Sequence, residues 1–111
     1  MKHKTLRTLL IIPFAGIALV ALAEVTKETK VNQKNREFSA TEITVKPGEK
    51  VVFQNDDEVT HNVFSTSKAN AFTIKVQKPG EASTVDFTEE GVTEVRCAIH
   101  PKMKLTVTVK K

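Results

Sequence analysis

From Glu42 onward the chain alternates apolar and polar residues with a period of two, broken at short intervals by turn residues. Glu42-Ile43-Thr44-Val45-Lys46 is the clearest case, and that period predicts a strand with one buried face. Lys50–Asn55, rich in β-branched and aromatic side chains, predicts a second strand. His61–Ser65 resumes extended structure, with Val63 alternating with His61 and Ser65. Further strands are expected at Phe72–Val76, Ser83–Phe87, Val92–Arg96 and Leu105–Val109. Lys46-Pro47-Gly48-Glu49 and Lys78-Pro79-Gly80-Glu81 share one turn chemistry, in which Pro presets φ and Gly supplies a positive φ. Their flanks differ, so they are not an internal repeat. Glu89-Glu90-Gly91 turns the chain, and Ser67–Ala71 is a small, polar loop. Asp56-Asp57-Glu58 reads as a solvated acidic loop, for which solubility is favoured over an ion site. Glu24–Arg36 is polar apart from Val25 and Val31; it predicts a frayed start and an edge strand, with Phe38 as the first core anchor. Seven or eight short strands at about ten-residue spacing, without helical periodicity, predict an all-β sandwich.

The first 23 residues follow a different pattern. Lys2, Lys4 and Arg7 precede an apolar run, Leu9–Leu22, which ends in Ala21-Leu22-Ala23. A basic start, a short apolar stretch and small residues before a cut are the marks of a secretory signal peptide. The run is shorter than the roughly 20 residues needed to span a bilayer. The expected organisation is therefore a signal peptide over 1–23, cleaved before Glu24, and one domain over 24–111. The mature form would have no membrane span and would reside in the periplasm. No Cys stands at the cut to take a lipid, and no Arg pair precedes the apolar run, so export in the unfolded state is expected.

This division changes the meaning of the charge. The full chain carries a formal +4. Without Lys2, Lys4 and Arg7, 14 basic residues face 13 acidic ones, a net charge of about +1 that gives no reason to expect a nucleic-acid partner. The remaining 88 residues can bury only a modest core, with no Trp, no Tyr and five Phe. Small exported domains usually carry disulfides, yet Cys97 is the single Cys. A lone Cys in an oxidising compartment is an intermolecular bridge, a free thiol or a ligand.

The surroundings of Cys97 favour the ligand. Cys97-Ala98-Ile99-His100-Pro101-Lys102-Met103 offers a thiolate, an imidazole and a thioether, with two residues between each pair. Soft sulfur with imidazole suits copper, and a second imidazole would complete a His₂Cys trigonal site with a weak axial Met. That imidazole is at His61, in Thr60-His61-Asn62-Val63-Phe64. Each residue has a plainer reading: a core Cys, a solvent-exposed loop His100, a core Met103, a strand His61 on a polar face. Apart from the segment 1–23, however, the chain contains no other His, Cys or Met. Pro101 holds His100 extended and aims its ring away from the loop. Asn62 is placed to donate its amide to the Cys97 sulfur and to tie the two loops with its side chain. The sequence thus points to one type 1 copper ion held by His61, Cys97, His100 and Met103.

These two stretches resemble those of the cupredoxins, most closely the amicyanin and plastocyanin-like group. The resemblance runs from about Glu42 to Val109, and the short gap between His100 and Met103 is similar to that of amicyanin. It implies an eight-stranded Greek-key sandwich with equatorial ligands His61, Cys97 and His100 and axial Met103. It further implies that His100 reaches the surface as the electron exit and can protonate and leave reduced copper. The implied function is that of a periplasmic carrier of single electrons between redox partner proteins, not of an enzyme. Lys102 and Lys104 suggest a basic docking face for an acidic face on the partner. A monomer is expected. Copper tolerance or delivery could use the same ligands, but proteins with that role often add Met- or His-rich tracts, and none occurs here.

Overall fold

The computed structural model describes residues 26–111. The expected signal peptide and its cleavage point lie outside the described residues.

Among the described residues nine strands occur in chain order: β1 Glu28–Lys34, β2 Glu37–Phe38, β3 Glu42–Val45, β4 Glu49–Asn55, β5 His61–Ser65, β6 Phe72–Gln77, β7 Ala82–Phe87, β8 Gly91–Arg96 and β9 Lys104–Val109. They form a four-stranded sheet, β2-β1-β4-β7, and a five-stranded sheet, β3-β9-β8-β5-β6. Each sheet contains one parallel pair, β1 with β4 and β3 with β9. The chain passes from one sheet to the other between β2 and β3, β3 and β4, β4 and β5, β6 and β7, and β7 and β8. This is the expected all-β Greek-key sandwich. Among the described residues no helix is long and apolar enough to cross a membrane.

The alternation read from the sequence sets the inward faces. Val51, Phe53 and Asn55 of β4 are buried, as are Leu105, Val107 and Val109 of β9. Four phenylalanines, Phe38, Phe53, Phe72 and Phe87, form a chain of ring contacts with centroids 6.3, 5.8 and 6.0 Å apart. The two Pro-Gly turns close as expected: the Glu49 and Glu81 amides each donate to the carbonyl three residues back, at 3.0 Å. Gly48 and Gly80 take φ of 91° and 86°, values that a side chain would oppose.

Three features depart from the sequence reading. The polar start is a full strand: β1 buries Val31 and Gln33 and pairs with β4 over six residues. It is followed by a two-residue turn, Asn35-Arg36, with both residues at positive φ, which adds β2 and brings the count to nine. The third departure is in β6. His61 pairs with Gln77, but Val63 pairs with Ile74, so β6 carries one extra residue opposite β5. This bulge reverses the inward-outward order. Val76, which the alternation would turn inward, is 58% exposed, and Gln77 is fully buried instead.

Candidate metal centre

His61 opens β5 on the same buried face as Val63 and Ser65, so it is a core-facing residue and not a polar-face one. Cys97 follows β8 directly and is 1% exposed. From there the chain bends through Ala98 and Ile99, and a turn closes when the Met103 amide donates to the His100 carbonyl, 2.9 Å away. Pro101 is the second residue of that turn, the place its fixed φ suits. Met103 is buried just before β9 begins. His100 is half-buried, whereas the other three ligand candidates are fully enclosed.

The three ring and sulfur atoms converge. His61 Nδ1 lies 3.6 Å from Cys97 Sγ, His100 Nδ1 lies 3.9 Å from Cys97 Sγ, and the two Nδ1 atoms are 3.1 Å apart. The rings meet edge to face, with centroids 4.8 Å apart. Among the described residues, these side chains form a group whose ligand atoms all lie within 4.8 Å of one another. A triangle with those sides has its centre about 2.1 Å from each corner, close to ordinary metal–nitrogen and metal–sulfur bond lengths. The donor set is two imidazoles and one thiol, with a buried thioether at the end of the same loop. The residues present therefore fit a borderline-soft ion of copper's kind.

Two side chains hold this arrangement. Asn62 Oδ1 accepts a hydrogen bond from the Ala98 amide at 2.7 Å, so its side chain ties the two stretches as expected. Among the described hydrogen bonds, none runs from the Asn62 amide to the sulfur. The second is Asp57. Its Oδ2 lies 2.9 Å from His61 Nε2 and accepts the Arg36 amide at 2.8 Å, while Oδ1 accepts the Glu58 amide at 2.9 Å. A carboxylate can only accept here, so Nε2 carries the proton and Nδ1 keeps its lone pair for a metal. Asp57 is thus not a solvated loop residue: its side chain is 11% exposed. The sequence offered one faint signal for this, a carboxylate four positions before His61.

The local electrostatics follow from these contacts. The Arg36 amide, and after it the His61 bond, hold the Asp57 carboxyl at about 2, below its ordinary 3.8, although burial opposes the shift. Because the folded value is depressed, the stability it provides is complete above about pH 4 and disappears as the pH falls toward 2. Acid titration of the metal-free protein should show that loss, and an Asp57→Asn variant should lack this part of the pH dependence. His100 is shifted below 6.5, chiefly by loss of solvation and then by the nearby His61 and Arg36 charges, with Asp57 opposing. The neutral imidazole, the form that can bind a metal, is thereby favoured.

The site has an open side. A cleft of about 420 Å³ is lined by Asn35, Arg36, Glu37, Ile99, His100, Pro101 and Lys102. Ile99 is 52% exposed there.

Comparison with known proteins agrees with this geometry. A sequence model described as copper binding proteins, plastocyanin/azurin family, matches residues 25–110. A search of curated proteins finds no match. Among solved structures, the chain is similar to amicyanin from Paracoccus versutus, with 26% identity, 76% of this chain and 82% of that one covered, and a TM-score of 0.69. It is similar in fold to a purple cupredoxin from Nitrosopumilus maritimus, with 24% identity, coverage of 74% and 99%, and a TM-score of 0.67. A copper-containing nitrite reductase from Thermus scotoductus is matched at 22% identity and a TM-score of 0.70, over 77% of this chain but only 23% of that enzyme.

Proposed function

The chain belongs to the plastocyanin/azurin family of copper-binding proteins, and from that premise we propose that it is a periplasmic carrier of single electrons whose copper is held by His61, Cys97, His100 and Met103. It is a cupredoxin, and its cofactor is copper. The observation that carries the ligand assignment is the convergence of two imidazole nitrogens and one sulfur, from strands and loops 36 and 39 residues apart, into one triangle.

Bound copper supplies a one-electron Cu(II)/Cu(I) couple. The chain's own contribution is to hold the donors still. His61 and Cys97 stand at strand ends inside the sandwich, and Asn62 locks their two segments together. Donors fixed in this way need not rearrange when the electron arrives or leaves, which keeps exchange fast. Met103, enclosed at the close of the turn, would supply a weak thioether ligand to the bound ion. Water is kept from the buried members, whereas His100 borders the cleft and gives the shortest way out for an electron. The rim beside it exposes Ile99 and Pro101 together with the charges of Arg36, Glu37 and Lys102, and Lys104 is exposed two residues further along the chain. Such a rim suits redox partner proteins with an acidic docking face.

The proposal extends to processing: residues 1–23 act as the export signal, and the mature monomer begins at Glu24. Amino-terminal sequencing of protein recovered from the periplasm should read Glu24-Val25-Thr26. The similarity to nitrite reductase reaches less than a quarter of that enzyme, so its activity is not transferred to this chain.

The experiment that tests the assignment is titration of the metal-free protein with Cu(II), followed by visible absorption and then by electrochemistry. An intense thiolate-to-copper band with a reversible one-electron couple is the expected result. A protein that stays colourless and takes up only Cu(I) would move the reading to copper tolerance or delivery. The docking face has its own test. Substituting Lys102→Glu and Lys104→Glu together should slow electron exchange with an anionic oxidant several-fold at low salt, and the difference should shrink as salt is raised.

A further inference from the structure

We infer that Asp57 is a positioning residue for the copper site: one of its oxygens fixes the tautomer and orientation of His61 and at the same moment anchors the Asn35-Arg36 turn at the rim of the His100 cleft. The inference rests on the reading of His61 as a ligand.

Three observations meet at Asp57. First, Oδ2 faces His61 Nε2 at 2.9 Å while Nδ1 of the same ring faces Cys97 Sγ and His100 Nδ1. A ring pinned at Nε2 can present only Nδ1 to a metal. Its rotation is also blocked, because His61 is fully enclosed. Second, the same Oδ2 accepts the Arg36 amide at 2.8 Å. Arg36 and Asn35 both sit at positive φ, 57° and 53°, a conformation that costs residues with side chains and needs an outside hold. Arg36 and Asn35 also line the cleft that His100 borders. One oxygen therefore links the enclosed imidazole to the rim where the other imidazole meets solvent. Third, the loop that presents Asp57 is built in advance. Asn55 Oδ1 accepts the Asp57 amide at 2.9 Å, and Asn55 Nδ2 donates to the Val59 and Gln77 carbonyls, each at 2.9 Å. Gln77 is the residue paired with His61 across the sheet, and it faces inward because of the bulge in β6.

The consequence for the couple is electrostatic. A carboxylate bonded to Nε2–H makes the imidazole a stronger donor, and a stronger donor favours Cu(II) over Cu(I). Asp57→Asn keeps the shape and an accepting oxygen but removes the charge. In the copper-loaded protein the variant should lose about 10- to 100-fold in Cu(II) affinity. If the preference for Cu(II) over Cu(I) falls about tenfold, the potential rises by about 59 mV. Asp57→Glu, which restores the charge, should recover part of that change. A variant with the blue band intact, weaker stability and an unmoved potential would overturn the inference, because a merely structural residue would behave so. Nitrogen-15 NMR of the unsubstituted metal-free protein serves as a second arm that no folding failure can spoil. A slowly exchanging proton on His61 Nε2 and a bare Nδ1 are expected; the reverse tautomer would overturn the inference. Because that arm needs no copper, it separates a failure of the Asp57 argument from a failure of the ligand assignment, which would instead show as the absence of the band in the unsubstituted protein.

Discussion

Cys97→Ala should abolish the intense visible absorption of the copper-loaded protein while leaving the sandwich folded. Cys97 is the only Cys in the chain, so no neighbouring thiol can take over. It is 1% exposed and directly follows β8, with its sulfur at one corner of the donor triangle. A charge-transfer band of this kind needs a thiolate bonded to Cu(II), and the imidazoles and thioether that remain supply none. Ala fills part of the same apolar site, so the expected cost to the fold is modest, about 1 kcal/mol, as for small truncations in a core. Cys97→Ser keeps the shape more closely but ends in a hydroxyl, which does not ionise near neutral pH as a thiol bound to metal does. Both variants should therefore be colourless. They should retain the circular dichroism of the parent and some copper binding through His61 and His100. Absorption spectra recorded during Cu(II) addition are sufficient to check this. A band of undiminished strength in either variant would remove Cys97 from the ligand set, and with it the electron-carrier reading.

The second large effect concerns the frame and not the site. Phe53→Ala should lower the unfolding free energy of the metal-free protein by about 3–5 kcal/mol. Phe53 is fully buried on β4, stacked on Phe72 and edge-on to Phe38. It therefore joins residues of both sheets. Domains of this size are stable by about 0.05–0.15 kcal/mol per residue, so such a loss consumes most of what holds the fold at the low end of that range. Phe64 provides the contrast. It lies on the other face of β5 and is only half-buried, so Phe64→Ala should cost clearly less. Urea denaturation of the two variants tests the pair. Equal losses would mean that the core does not run through the four-ring chain.

How much of this could be read from the sequence differs by element, for physical reasons. The strands that became β3, β4, β5, β7, β8 and β9 bury one face more deeply than the other, and alternation or β-branched and aromatic content marks them in the sequence. β1 escaped full recognition because one of its two fully buried residues is Gln33. A buried amide is tolerable only when a partner meets it, and the partner, Gln77, lies 44 residues away. The Asn35-Arg36 turn lacks the Gly that usually marks two left-handed residues in succession. The bulge in β6 is invisible to alternation, because it shifts pairing without changing composition. At the site, His61, Cys97 and His100 were legible because their chemistry is scarce in this chain and their spacing is restrictive. Asp57 was not, because an acidic loop residue is ordinarily solvated, and what removes it from water is an amide 21 positions earlier in the chain.

The bulge has a further effect, on how copies of the protein treat one another. β6 lies at the margin of the five-stranded sheet, where a regular strand would offer a row of free amides and carbonyls to any extended segment nearby. An extra residue at Lys75-Val76 bends that row and spoils its spacing, and the charge of Lys75 is exposed beside the kink. Strand-by-strand growth from one molecule to the next is thereby discouraged. The same irregularity that turns Gln77 inward beneath His61 thus also protects the fold from fibrous self-association.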